Sequence, residues 1–335
     1  MPELPEVESV VRSLRPLLIG RVIVELIAPA ERWRGEWPAT LHRLLDAPPQ
    51  GLREQVAGTR IADVSRMGKN IQITLESLPA NGGAARARTL WVHLGMTGRL
   101  TAENSDVAQS RHTHLIFELD QTTGAAPRWL HFADIRRFGR VRLTTEVPGE
   151  PQPHAGLGPE PLEISAADFV ARLRARRSRV KAVLLDQTFV RGLGNIYADE
   201  SLFRAGIHPA KIAARLRPEQ AAALHKAAQK VLREAIAAGG SSISDYVDGQ
   251  GRAGWFQIHH NVYQRTGEPC PRCRTAIRKI IVAGRSTHFC PRCQPGRAPV
   301  LKKKVGLDSA SLDSKMPSKV KSKLKSRGRE KGARG

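Results

Sequence analysis

Four cysteines constrain this chain more than any other feature. They are all the cysteines it has, and they lie within 24 residues as Cys270-x2-Cys273, sixteen residues, then Cys290-x2-Cys293. Each CxxC step puts two thiolates on one tight turn, and two such turns can close a tetrahedron of soft ligands around zinc. Four protein ligands leave no open position, so this zinc is expected to be structural and not catalytic. The alternatives are four unrelated thiols or two disulfides, and disulfides are rare inside cells. The same stretch carries Arg272, Arg274, Arg278, Lys279, Arg285 and Arg292 and no acid. That imbalance predicts a finger that touches phosphate.

The excess of cations runs through the whole chain. Its 335 residues hold 54 Lys+Arg against 31 Asp+Glu, a formal net charge of +23. Residues 297–335 have 13 Lys+Arg and 3 acids, which puts +10 there and leaves +13 on residues 1–296. The body is therefore basic without its tail. A polyanion is the implied partner, with nucleic acid first; an acidic small molecule would not need so much charge. The tail, with Lys319-Val320-Lys321-Ser322-Lys323-Leu324-Lys325, is apolar-poor and aperiodic. It is expected to be disordered, as either a solubilising segment or a non-specific phosphate-binding arm. No stretch reaches the roughly 18 apolar residues of a membrane span. The start, Met1-Pro2-Glu3-Leu4-Pro5-Glu6, is acidic and lacks the apolar core of a signal peptide. The expectation is a soluble, cytoplasmic protein, nucleoid-associated if bacterial.

Periodicity divides the chain. Val7, Val10, Val11, Leu14 and Leu18 recur at helical spacing, which predicts a helix over 5–18 with Pro5 in its first turn. Pro16 is expected to disturb its last turn, and Gly20 to stop it. Short strands are predicted at 22–27, around Ile71, Ile73 and Leu75, around Leu90, Val92 and Leu94, and at 114–119, 128–132 and 140–143. Many short strands without long helices between them suggest an antiparallel sandwich or barrel. Residues 79–88 read as a hairpin loop or insertion. Five prolines within 147–161 read as a linker. Helices are predicted at 166–176, capped by Ser165, and at 179–186, 195–205 and 218–238. Short strands around the cysteines follow over 255–293. The class is α+β and multi-domain. The expected domains are 1–146, a linker 147–164, a helical domain 165–250, the finger 251–296 and the tail 297–335.

Several motifs then converge on one family. Pro2-Glu3-Leu4-Pro5-Glu6-Val7-Glu8, His93-Leu94-Gly95-Met96-Thr97-Gly98, Arg136-Arg137-Phe138-Gly139 and Leu157-Gly158-Pro159-Glu160-Pro161-Leu162 resemble segments of the formamidopyrimidine-DNA glycosylases. So do Gly192-Leu193-Gly194-Asn195-Ile196-Tyr197-Ala198 and the cysteine finger, all in the family's order. The resemblance spans residues 2–293 and omits the tail. It implies an N-terminal helix on a β-sandwich, a helical domain with a helix-two-turns-helix motif, and a zinc finger. It also implies damaged double-stranded DNA as partner, a monomer, one structural zinc and no organic cofactor.

The resemblance assigns roles residue by residue. Pro2, once Met1 is removed, would offer a secondary amine that attacks the sugar C1′ and forms an iminium. Glu3 would shuttle protons beside it, with Glu6 as a second carboxylate in the same pocket. Lys69 matches the family's essential lysine. The residue after it is often aromatic in the family and is Asn70 here. Met96, Arg136 and Phe138 correspond to the side chains that fill the duplex after the damaged nucleotide has been flipped out. Read alone, Met96 between glycines and Phe138 between Arg137 and Gly139 already look misplaced for core residues. The family usually has a proline where Ile135 stands, and its loss is expected to loosen the wedge loop. Asn195 and Arg285 match phosphate-gripping residues, and Ser241, Ser242, Ile243 and Ser244 align with the loop over the flipped base. His259-His260, a histidine pair without a carboxylate, is read as structural and strand-borne.

The expected activity is that of a bifunctional glycosylase and abasic-site lyase for oxidised purines, 8-oxoguanine and formamidopyrimidines, ending in β,δ-elimination. One alternative keeps the chemistry and changes the substrate to oxidised pyrimidines, as in relatives similar to endonuclease VIII. The stretch Val7-Glu8 looks more like the purine branch. Another is a damage-binding protein without activity, against which Pro2, Glu3 and Lys69 argue by their presence.

Overall fold

The computed structural model describes residues 1–29, 44–45, 49–77, 87–105, 112–121, 126–145, 155–242 and 246–296. Met1–Arg297 form one compact unit. The tail, most of 79–88, and Ile243 and Ser244 of the expected lesion loop lie outside the described residues.

Helix α1 spans Leu4–Leu18. Its apolar stripe from Val7 to Leu18 is buried, while Leu4 belongs to a different core. Pro16 does not break it: the helix runs on to Leu18, and the Ile19 N–H still reaches the Arg15 carbonyl at 3.2 Å. Two antiparallel four-stranded sheets follow. One has the order β2 (Thr59–Met67), β3 (Asn70–Ser77), β4 (Ala87–His93), β8 (Arg140–Thr145); the other has β1 (Ile23–Ile27), β6 (Thr113–Leu119), β7 (Trp129–Asp134), β5 (Gly98–Glu103). Ile61, Val64, Ile71, Ile73 and Val92 of the first sheet share one core with Leu26, Leu100, Phe117, Leu130 and Phe132 of the second. The α1 stripe packs into that same core, giving the helix-on-sandwich layout that the family resemblance implies.

Three elements escape the periodicity argument. Strand β2 carries a bulge between Ile61 and Asp63, so its core residues Ile61 and Val64 are three apart rather than two. Strand β5 lies at a sheet edge and buries Leu100 as its one large apolar side chain. Helix α2, Pro49–Val56, is two turns long and too short for a clear helical period.

The helical region contains α3 (Ala166–Arg174), α4 (Val180–Leu185), α5 (Asn195–Arg204) and α6 (Pro218–Ala237). Ser165 caps α3 by accepting from the Asp168 N–H at 3.0 Å. Leu4 from α1 joins this second core, so α1 bridges both. Residues 157–164, expected as linker, are instead packed: Ile164 is buried, the Gly158 N–H donates to Gln187, and Gln229 donates to the Pro161 and Leu162 carbonyls. Only the region's proline-rich first half falls outside the described residues.

The finger is a hairpin of β9 (Arg278–Val282) and β10 (Arg285–Phe289) over a small core of Phe203, Val262, Cys270, Ile277 and Cys290. The His259-His260 pair is not on a strand; His259 ends a 3-10 turn at Phe256–His259. The four cysteine sulfurs all lie within 4.8 Å of one another. Cys270 and Cys293 are 3.8 Å apart and Cys273 and Cys290 are 3.4 Å apart. A tetrahedron of zinc–sulfur bonds of about 2.3 Å has sulfur–sulfur edges of about 3.8 Å, so the cradle fits the ion. The finger holds one structural zinc. With so small a core, metal binding and folding of the finger are one equilibrium. Chelation of the zinc should unfold residues 267–296 and leave the sandwich folded. Hydrogen exchange before and after chelation checks this, and retained protection of β9 and β10 in the metal-free protein would contradict it.

Candidate active site

The site grows from the first turn of α1 meeting the first turn of α5. Glu3 is buried, 3 % exposed, and its carboxylate accepts the N–H groups of Ile196 at 3.0 Å and Tyr197 at 3.4 Å. It therefore occupies the positive end of α5, where orphan N–H groups favour an anion. Gly194 makes room: a Cβ there would lie 2.4 Å from the Glu3 Cδ. Burial, opposed by Lys69 and the two N–H groups and reinforced by Glu6, lifts the Glu3 pKa to about 7. Pro2, also buried, immediately precedes it.

Glu6 lies one helical turn away. Its Oε2 accepts the Glu3 N–H at 2.8 Å, and its Oε1 accepts the Ser241 N–H at 2.8 Å and the Tyr197 hydroxyl. Burial raises its pKa too. Ser241 Oγ lies 3.1 Å from His260 Nε2, which satisfies that histidine as structural. Ser242 is tied to Gln257 and to the Tyr246 carbonyl. The base of the 241–244 loop is thus pinned to α1.

Lys69 sits in the two-residue turn between β2 and β3. Gly68 ahead of it has φ +58, a left-handed conformation that glycine adopts freely. Lys69 is itself buried, and desolvation lowers its pKa against the attraction of Glu3 and Glu6. Glu160 holds the turn. It accepts the Gly68 N–H at 2.8 Å and the side chains of Arg66 and Arg191 at 2.9 Å each. The Asn70 side chain folds back toward the Met67 carbonyl, so the departure from an aromatic is absorbed locally.

Met96, Arg136 and Phe138 come together on a separate rim. Met96 and Phe138 are 37 % and 48 % exposed, which removes the core reading for both. The Arg136 guanidinium lies over the Phe138 ring, 4.7 Å from its centroid. A Cβ on Gly95 would meet Phe138 and Gly139 backbone at 2.5 Å, so the two loops pack backbone to backbone. The loop expected to be loosened at Ile135 is held by buried Asp134, which accepts from Thr97 Oγ1 at 2.5 Å, Gly139 N at 2.7 Å and Arg136 N at 3.2 Å.

Asn195 opens α5, and its buried Oδ1 has no partner among the described residues. Arg285 is exposed at the start of β10, near enough for its charge to depress Lys69 further. Of the six finger cations, Arg272 departs from the phosphate expectation. It stacks on Phe203 and donates to the Phe203 and Arg204 carbonyls, docking the finger on α5.

His93, Glu160 and Tyr197 lie within the family's motifs, but those motifs by themselves assign them no role. His93 is half-buried at the end of β4, where desolvation, Lys69 and Arg140 hold its pKa down at about 4, so it stays neutral at physiological pH. Only the motif beginning at His93 and the acid within Pro159-Glu160-Pro161 could have signalled them.

A buried cluster with a carboxyl lifted to about 7, a depressed lysine and a nearby basic finger suits chemistry at a sugar–base bond on a polyanion, which is the work of DNA glycosylases. Three family models match in order: the formamidopyrimidine-DNA glycosylase N-terminal domain over residues 1–141, its H2TH domain over 157–247, and the zinc finger found in FPG and IleRS over 267–296. A formamidopyrimidine-DNA glycosylase of Solibacter usitatus is 49 % identical over 294 residues, covering 88 % of this chain and 99 % of the relative. A point mutant of the Lactococcus lactis FPG, in complex with a Fapy-dG containing DNA, has a TM-score of 0.73 at 33 % identity, covering 88 % of this chain and 100 % of that one. The MutM (FPG) protein of Thermus thermophilus has a TM-score of 0.70 at 37 % identity, covering 88 % and 98 %. The chain belongs to the formamidopyrimidine-DNA glycosylase family.

Two outcomes follow from this geometry. The folded protein keeps a proton on Glu3 that the unfolded chain has released between about pH 4.5 and 7, so this group's contribution to stability falls as pH rises through that window. Glu3→Gln should therefore raise the melting temperature at pH 8, with a gain on the order of 3 kcal/mol, and change little at pH 5. Equal shifts at both pH values would refute that. Glu160→Gln leaves Arg66 and Arg191 facing a neutral amide and should cost about 2 kcal/mol in urea unfolding.

Proposed function

We propose that the chain removes oxidised purines, 8-oxoguanine and formamidopyrimidines, from duplex DNA and then cuts the strand at the abasic site. The observation that carries the reading is the buried Glu3 carboxyl, poised at about 7 next to Pro2 and facing Lys69. With Met1 removed, the Pro2 nitrogen is a secondary amine whose ordinary pKa leaves part of it unprotonated at neutral pH. It attacks C1′ of the flipped nucleotide, and the electron pair of the breaking bond leaves with the base. Glu3, close to half-protonated at pH 7, can give a proton to the departing base or the opening sugar and take one back for elimination. Lys69 supplies positive charge on the same side. The iminium links protein and sugar until elimination cuts the strand.

Met96, Arg136 and Phe138 act as the wedge, with the exposed apolar side chains entering the stack and the arginine meeting the widowed base. Asn195, at a helix N-terminus, and Arg285 take the backbone phosphates. Ser241 and Ser242 form the near end of a loop over the base. This division of labour assigns the sandwich to residues 1–146, the helical domain to 165–250 and the finger to 251–296. Monomeric action inside the cell agrees with a pocket built from one chain; among the described residues no helix is long and apolar enough to cross a membrane. The tail 297–335 is assigned a supporting, non-specific hold on phosphate.

Borohydride trapping tests the reading. Duplex carrying 8-oxoguanine opposite cytosine should give a covalent adduct that maps to Pro2, and Pro2→Gly should abolish it while retaining DNA binding. An adduct with an oxidised pyrimidine alone would move the protein to the other substrate branch. Tight binding without any adduct, even with an abasic site, would leave a damage-binding protein.

A further inference from the structure

A second concavity lies away from the pocket of Glu3. It encloses about 1000 Å³ between α6, the C-terminal end of α5 and the 255–261 segment. Helix α5 has ten residues, so Arg204 at its far end is about 13 Å along the axis from Asn195 at the site. The groove therefore opens at the other end of the buried helix.

Four cations line it: Arg204, Lys226, Lys230 and Arg272. The one carboxylate among the lining residues, Glu234, is bonded to Arg204 and lies 4.0 Å from Lys230, so the lining cations exceed its acid by three. Arg272 is fixed by its stacking on Phe203 and its two carbonyl bonds, so its charge is pre-organised. Lys226 and Lys230 stand one turn apart on α6 and are exposed. The floor between these charges is apolar, made of alanines on α6 and buried Phe256. Trp255 and Ile258 flank that floor in sequence and are 66 % and 72 % exposed, unusual for side chains of this size.

We propose that this groove docks an acidic peptide segment of a partner protein that carries one large apolar anchor. Carboxylates on the segment would meet Lys226, Lys230 and Arg272, and the anchor would enter over the alanine floor against Phe256. Charge decides between the occupants. The chain's own tail carries +10 and a second copy carries +23, so both would be repelled. Duplex phosphates would use the cations but leave the apolar floor without a partner. An acidic segment with an apolar side chain satisfies both features at once.

Fluorescence anisotropy with the full-length protein tests it. The probe is a short labelled peptide rich in Asp with a single Phe. Lys226→Glu/Lys230→Glu should weaken its binding at least about tenfold, equivalent to about 1.4 kcal/mol. Arg215→Glu/Arg233→Glu, the same charge change at exposed positions that do not line the groove, should alter it less than about twofold. Replacing the peptide's Phe by Ala should also weaken binding, and cutting of damaged duplex by the lysine variant should be unchanged. Equal losses in the two variants, or indifference to the Phe, would reduce the effect to net charge and overturn the proposal. Displacement of the peptide by undamaged duplex, with binding intact in the lysine variant, would place the peptide on the nucleic-acid face and overturn it as well.

Discussion

The carboxylate of Glu3 rests on the open end of a helix that is buried almost along its whole length, and the rest of the molecule is arranged around that contact. Residues Ile196 to Phe203 of α5 are all buried, so the helix cannot turn its first N–H groups to water. Glu3 satisfies two of them and is desolvated in doing so. The same contact thus closes the junction between sandwich and helical region and lifts the Glu3 pKa to about 7. A buried carboxyl whose pKa is raised in this way contributes less stability as pH rises. Lys69 and Glu6 then set how far the tuning goes, one drawing the Glu3 pKa down and the other pushing it up.

The same use of buried acids recurs through the fold. Asp134 pins the loop of Arg136 and Phe138, and Glu160 pins the turn of Lys69. Glu200, fully buried, accepts the N–H groups of Asn261, Val262 and Tyr263. Asp199 pairs with buried Lys181 at 2.6 Å and accepts the His288 N–H, while Lys181 donates to the Ser286 carbonyl, which anchors β10 just behind Arg285. These carboxylates hold loops from inside, so their charge does little to offset the cations outside. A chain of net charge +23 can in this way present a basic surface without a loose interior. The loop that carries Ile135 is held in the same way, by the Asp134 bonds to Thr97, Arg136 and Gly139.

Legibility followed periodicity and motif density. Helix α1 was visible because five apolar residues share one face, and the finger because two CxxC steps have few other uses. Strand β2 was invisible because its bulge breaks the alternation that marks a strand, and β5 because an edge strand buries little. Within the site, Glu3, Lys69, Met96 and Phe138 could be named through the family's motifs, but Glu160, His93 and Tyr197 could not be given roles. The partners that matter lie 92 residues away for Glu160 and 191 for Tyr197, and no local pattern encodes such pairs.

By itself, the sequence determined the basic character of the chain, the zinc cradle, the helical and most of the sheet segments, and the family to which its motifs point. These depend on residue type and short spacing, and short spacing survives in a linear string. The tertiary structure alone decided which carboxylates are buried, that the Glu3 pKa is lifted to about 7 while His93 stays neutral, that Arg272 clamps the finger on α5, and that a cationic groove opens at the far end of α5. Desolvation and the meeting of distant segments set each of these, and both exist only once the chain has folded.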